Sequence, residues 1–125
     1  MIEQLILHAV GDYVTQTDKM AVNKVKSNKW AFVHCFVYTV PFYMITQSLL
    51  ALFVIFSTHF IIDRFRLARY VIFARNKITD RSLKWEDCKN TGFHYDRPPW
   101  LAVWLMIIVD NIIHVTINYL SVGYL

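Results

Sequence analysis

The stretch Gln47–Asp63, QSLLALFVIFSTHFIID, decides how the chain is read. It is apolar along most of its length, yet it closes on His59-x-x-x-Asp63. Residues i and i+4 stack on one face of an α-helix, so an imidazole and a carboxylate point the same way from a greasy segment. Ionisable groups in membrane-grade helices are costly and by default mark a functional site. The pattern recurs outward from this stretch. The first apolar segment carries His8-x-x-x-Asp12, the last carries Asp110-x-x-x-His114, and the second holds His34 by itself. Apart from Glu3, these seven are the only His, Asp or Glu of the four apolar segments.

The 125 residues suffice for one domain. They are 56% hydrophobic and 16% aromatic, above the roughly 45–50% apolar content of ordinary soluble domains. The expected fold is all-α: an integral membrane bundle of about four helices forming a single domain over 1–125. The first apolar segment, about Ile2 to Thr17, covers roughly 24 Å, short of a hydrocarbon core of about 30 Å, and is expected to be short or re-entrant. The second runs from Trp30 to about Ile45, with Pro41 as a kink. The third runs from Gln47 to Asp63 and is expected to continue as a basic helix through Arg75. The fourth runs from Trp100 to the C-terminus. Met1 to Leu7 has no basic n-region or cleavage site, so the first segment is expected to stay in the mature protein. Cys35 and Cys88 fall in unlike settings and read as free thiols.

All 13 Lys and Arg lie in two alternate polar segments, Asp18 to Lys29 and Arg64 to Pro99. If four segments cross, both lie on one side. The positive-inside rule then makes 64–99 a cytoplasmic basic segment and puts both termini in the periplasm of a bacterial inner-membrane, multi-pass protein. The net charge of +4 reads as topology and anionic-lipid contact, not as nucleic-acid binding.

Imidazole and carboxylate are ligands for divalent ions, and pairs at helical spacing on facing helices are how bundle cores hold metals. His8, Asp12, His34, His59, Asp63, Asp110 and His114 are the candidate ligands, for one or two ions with Zn or Mn first. Hydrogen bonding between helices and a proton pathway would use the same residue types. Asp12 and Asp63 are also candidate catalytic bases. Gln16 extends the His8/Asp12 face by one turn and could orient substrate; Asp18 is a weaker candidate at the helix end. Arg64, Arg66 and Arg69 begin one residue after Asp63 and offer cations to a phosphate. His94, in a polar setting beside Asp96, reads as surface or lid.

The run His8-Ala-Val-Gly-Asp12-Tyr-Val-Thr-Gln16-Thr-Asp18-Lys-Met-Ala21 resembles the opening of a family of uncharacterised small membrane proteins of bacteria and phages. That family continues with a Lys such as Lys24, a His matched by His34 and a later His-x-x-x-Asp matched by His59 and Asp63. The resemblance extends to about Arg69; beyond that it rests on Asp110-x-x-x-His114. The family is of unknown function and is broadly similar to predicted membrane-bound metal-dependent hydrolases. The expected activity is therefore hydrolysis of a lipid or lipid-linked phosphate or ester from the cytoplasmic side, with membrane lipid as the partner. The alternative is a small phage or bacterial membrane effector of permeability or superinfection, in which the polar or metal cluster is structural.

Overall fold

The computed structural model describes residues 2–125. Its described residues form seven α-helices and no strands: α1 (Ile2–Ala9), α2 (Asp18–Asn23), α3 (Asn28–Thr39), α4 (Leu49–Phe65), α5 (Ala68–Thr79), α6 (Trp85–Cys88) and α7 (Pro99–Tyr124). Two short pieces extend the helices: a π-helical turn, Val10–Val14, after α1, and a 3₁₀ turn, Val40–Met44, after α3. The chain divides into two compact units, residues 1–65 with 114–125 and residues 66–113.

In the first unit the local chemistry is readable. Thr17 caps α2 by accepting from the Met20 amide at 3.3 Å. Pro41 cannot donate the next helical hydrogen bond, and α3 tightens there into the 3₁₀ turn. Ser48 opens α4: its hydroxyl accepts from the Ala51 amide at 3.3 Å and donates to the Leu125 carbonyl at 3.0 Å. α3 and α4 pack along Ala31, His34, Cys35 and Tyr38 on one side and Ala51, Ile55, His59 and Ile62 on the other, all buried at helical spacing. Tyr38, Phe42 and Ile55 make the apolar core, flanked by Leu7, Ile45, Leu52 and Val122.

The rest of this unit is inverted relative to a water-soluble domain. Gln4, His8, Asp12, His34, His59, Asp63, His114 and Asn118 are buried, while Phe32, Phe36, Met44, Leu49, Leu50 and Phe53 are more than half exposed.

The second unit is built around Trp85. Tyr70 stacks on its indole at 4.6 Å, Phe73 meets it edge-on, and the Arg69 guanidinium lies 5.5 Å from its centroid. Gly92 adopts φ of 84°, and a Cβ there would collide with the Arg69 carbonyl.

Two expectations need correcting. The third helix does not run through Arg75: it ends at Phe65, and Arg66 takes a left-handed φ of 53°, its guanidinium donating to the Asn90 carbonyl at 2.9 Å. Nor do the helix lengths support four crossings. Among the described residues only α7 is long and apolar enough to cross a membrane. α4, with 17 residues, rises about 25 Å, and α3, with 12 residues, about 18 Å, against a hydrocarbon core of about 30 Å.

Candidate metal centre

Four segments of the first unit deliver the site. α1 brings Gln4 and His8 inward at i, i+4 spacing, and the π turn then aims Asp12. Its signature is the Thr15 amide donating to the Val10 carbonyl at 2.9 Å, five residues back. Gly11 makes the close approach possible, because a Cβ there would overlap the Tyr38 ring. α3 supplies His34, α4 supplies His59 and Asp63, and the end of α7 supplies His114.

The inner set is Asp12, His34, His59 and Asp63, whose donor atoms all lie within 4.8 Å of one another. His34 Nε2 is 3.1 Å from Asp12 Oδ1 and 3.1 Å from Asp63 Oδ2. His59 Nε2 is 3.4 and 3.2 Å from the same two oxygens. The two Nε2 atoms are 3.0 Å apart. A tetrahedral ion with bonds of about 2.0 Å holds its ligands about 3.3 Å apart, so the cage has the size a small ion needs.

The donor chemistry agrees with that size. If both imidazoles carried their proton on Nε2, two N–H groups would face each other at 3.0 Å. If both carried it on Nδ1, two lone pairs would face two carboxylates. Asp12 Oδ1 is buried 3.1 Å from His34 Nε2 and 3.4 Å from His59 Nε2, yet it has no hydrogen-bond partner among the described residues. A cation among the four atoms removes each conflict. These residues therefore fit a metal ion. The Nδ1 atoms of His34 and His59 find no hydrogen-bond partner among the described residues, whereas metal-bound imidazoles usually have one.

Around the inner set lies a ring of supporting groups. His114 Nε2 is 3.3 Å from Asp63 Oδ1, and its ring lies 4.1 Å from that of His59. His8 Nδ1 is 3.4 Å from Asp12 Oδ2 and 2.9 Å from the Tyr38 hydroxyl. Asn118 donates to that hydroxyl at 2.6 Å, and the Tyr38 ring stacks on His59 at 3.7 Å. Lys24 Nζ donates to Asp63 Oδ2 at 2.7 Å and lies 3.3 Å from His34 Nε2.

Within the first unit the structure brings together His8, Asp12, His34, His59, Asp63 and His114. Asp110 lies one turn before His114 on α7, half-buried, within the second unit. Gln16 is half-buried with its Oε1 unbonded, and Asp18 is exposed at the start of α2. His94 pairs with Asp96 at 2.7 Å in the second unit.

The three arginines are engaged with the chain itself. Arg64 donates to the Val25 and Lys26 carbonyls and to Asn28 Oδ1. Arg66 serves the Asn90 carbonyl and Arg69 the Lys89 carbonyl. Among the described residues of the first unit, Lys24 is a cation that does reach the cluster. Tyr38, Asn118 and Gln4 went unread, although His34-x-x-x-Tyr38, His114-x-x-x-Asn118 and Gln4-x-x-x-His8 repeat the same spacing. Lys24 carries no periodic signal, because it sits in a polar turn.

Comparison with known proteins assigns the lineage. A family described as "Protein of unknown function (DUF3307)" matches residues 1–123. The chain belongs to the DUF3307 family. The match takes in α7 and so extends well past Arg69, where the resemblance in sequence faded. No curated protein and no solved structure matches the chain. Nothing among these matches reaches the membrane-bound metal-dependent hydrolases.

Proposed function

We propose that this DUF3307 protein is a membrane-embedded, metal-dependent hydrolase acting on a lipid or lipid-linked phosphate or ester from the cytoplasmic side. The observation that carries the reading is the four-donor cage of Asp12, His34, His59 and Asp63, enclosed in a unit whose outer surface is apolar. Polar groups inside and large apolar side chains outside suit a bilayer as solvent. Imidazole-rich, four-atom coordination favours Zn, with Mn as the second choice.

When bound, such an ion supplies Lewis acidity and makes water acidic near neutral pH. The chain's own groups do the rest. Asp12 would hold the ion through Oδ1, which leaves Oδ2, 3.4 Å from His8 Nδ1, as the oxygen placed to accept a proton. Gln16, in the non-helical link just past the π turn, offers an unpaired carbonyl oxygen to orient a substrate. His8, Tyr38 and Asn118 hold Asp12 and His59 in register. The topology that goes with this reading has α7 as the crossing helix, with the basic segment before it cytoplasmic and the C-terminus periplasmic.

A second reading, a small membrane effector with a structural polar cluster, is favoured by one observation: His8, His34, His59 and His114 are each 1% exposed, and Asp63 is already paired with Lys24. The assay that separates them is hydrolysis of a panel of phospholipids and polyprenyl phosphates by purified protein, with and without chelator. Chelator-sensitive cleavage of a panel member is the expected result. Absence of cleavage under every metal supplement favours the effector.

A further inference from the structure

The hydrolytic reading leaves one member of the cluster without a task, Lys24. Its Nζ lies 2.7 Å from Asp63 Oδ2 and 3.3 Å from His34 Nε2, two atoms of the four-donor cage. An ion bound to Asp63 Oδ2 at about 2.0 Å would therefore lie no more than about 4.7 Å from that nitrogen. An ammonium and a divalent ion that close, in a site screened from water, repel strongly. The conflict repeats at His34, where one Nε2 lone pair can serve the Lys24 N–H or the ion but not both.

The lysine is also built to leave. Its side chain is 16% exposed, against 3% for Asp63 and 1% for His34. It stands at the C-cap of α2, on a flexible four-carbon stem. The backbone just beyond it is fixed to α4, because Arg64 holds the Val25 and Lys26 carbonyls. Displacement thus needs rotation of one side chain and no helix movement.

We infer that Lys24 is a tethered competitor of the metal: its ammonium neutralises Asp63 in the ion-free protein and swings outward when a divalent ion binds. This rests on the metal reading above. The consequence is a threshold, since an ion must displace an attached cation as well as shed its water. A doubly charged ion with imidazole affinity can do both; a monovalent ion gains too little.

The test uses the full chain in detergent or nanodiscs, titrated with Co(II) and Zn(II) against a chromophoric chelator. Lys24→Met should bind at least about tenfold more tightly than wild type, while Lys24→Arg, which keeps the charge, should bind no more tightly. Lys24→Gln, which can still hydrogen-bond Asp63, replaces the Met variant if that does not fold. In wild type, stoichiometric Zn(II) should raise reductive methylation of Lys24 relative to Lys77, read by peptide mass spectrometry. Equal or weaker binding by the neutral variants, or unchanged Lys24 labelling with zinc bound, overturns the inference and leaves the metal reading intact. No binding by wild type or any variant removes both.

Discussion

Replacing Gly11 by Ala, with Gly123→Ala as its control, tests the packing that aims the cluster. Both glycines are in helical segments, so alanine gains up to about 1 kcal/mol of intrinsic preference at either site. At Gly123 the added methyl meets nothing within 4 Å. At Gly11 it would overlap the Tyr38 ring. Tyr38 cannot yield easily: its ring stacks on His59 at 3.7 Å and its hydroxyl accepts from Asn118 at 2.6 Å. Overpacking typically costs about 1–3 kcal/mol, and a ring held on two sides belongs in the upper half of that range. The propensity gain cancels between the two sites, so Gly11→Ala should fall about 2–3 kcal/mol below Gly123→Ala. Thermal loss of far-UV circular dichroism in one detergent, at one scan rate, gives the comparison. Metal affinity should fall in Gly11→Ala as well, because the displaced ring carries His59 with it. A Gly11→Ala protein as stable as Gly123→Ala, with unchanged metal binding, would refute the proposed geometry.

Three further outcomes follow from the same contacts. His59→Ala and Asp63→Ala should each lose most bound metal while His94→Ala keeps it, since His94 pairs with Asp96 in the other unit; equal metal content in all three, by elemental analysis, would contradict the assignment. Cys35 and Cys88 are both fully buried, and burial pushes the Cys88 thiol above its ordinary range. Neither should react with maleimide at neutral pH until the protein is denatured, and prompt labelling of Cys88 in the folded protein would show the second unit to be open. A reporter active only in the cytoplasm, fused to the C-terminus, should be silent; strong activity would reverse the topology.

What the sequence revealed follows helical periodicity. Because i and i+4 share a face, His59 with Asp63 and His8 with Asp12 could be grouped before any fold was known, and His34 could be added as a buried polar group in an apolar run. The all-helical class and the Pro41 interruption follow from equally local chemistry. The misread features depend on non-local contacts. Arg66 ends α4 because its guanidinium finds the Asn90 carbonyl 24 residues away. The three acceptors between Val25 and Asn28 that Arg64 serves are likewise distant in sequence. Lys24 stood out only through the family resemblance and as one of the basic residues of the first polar segment; chain reversal between α2 and α3 carries it to Asp63.

The most direct test of the central claim is X-ray absorption at the zinc edge on protein loaded with one equivalent of Zn(II) and freed of excess. The account predicts a four-coordinate first shell of nitrogen and oxygen at about 2.0 Å, with imidazole scattering from two histidines, and loss of that imidazole signal in a His34→Ala, His59→Ala double variant. Failure to retain zinc, or a hydrated shell that the double variant leaves unchanged, would contradict it.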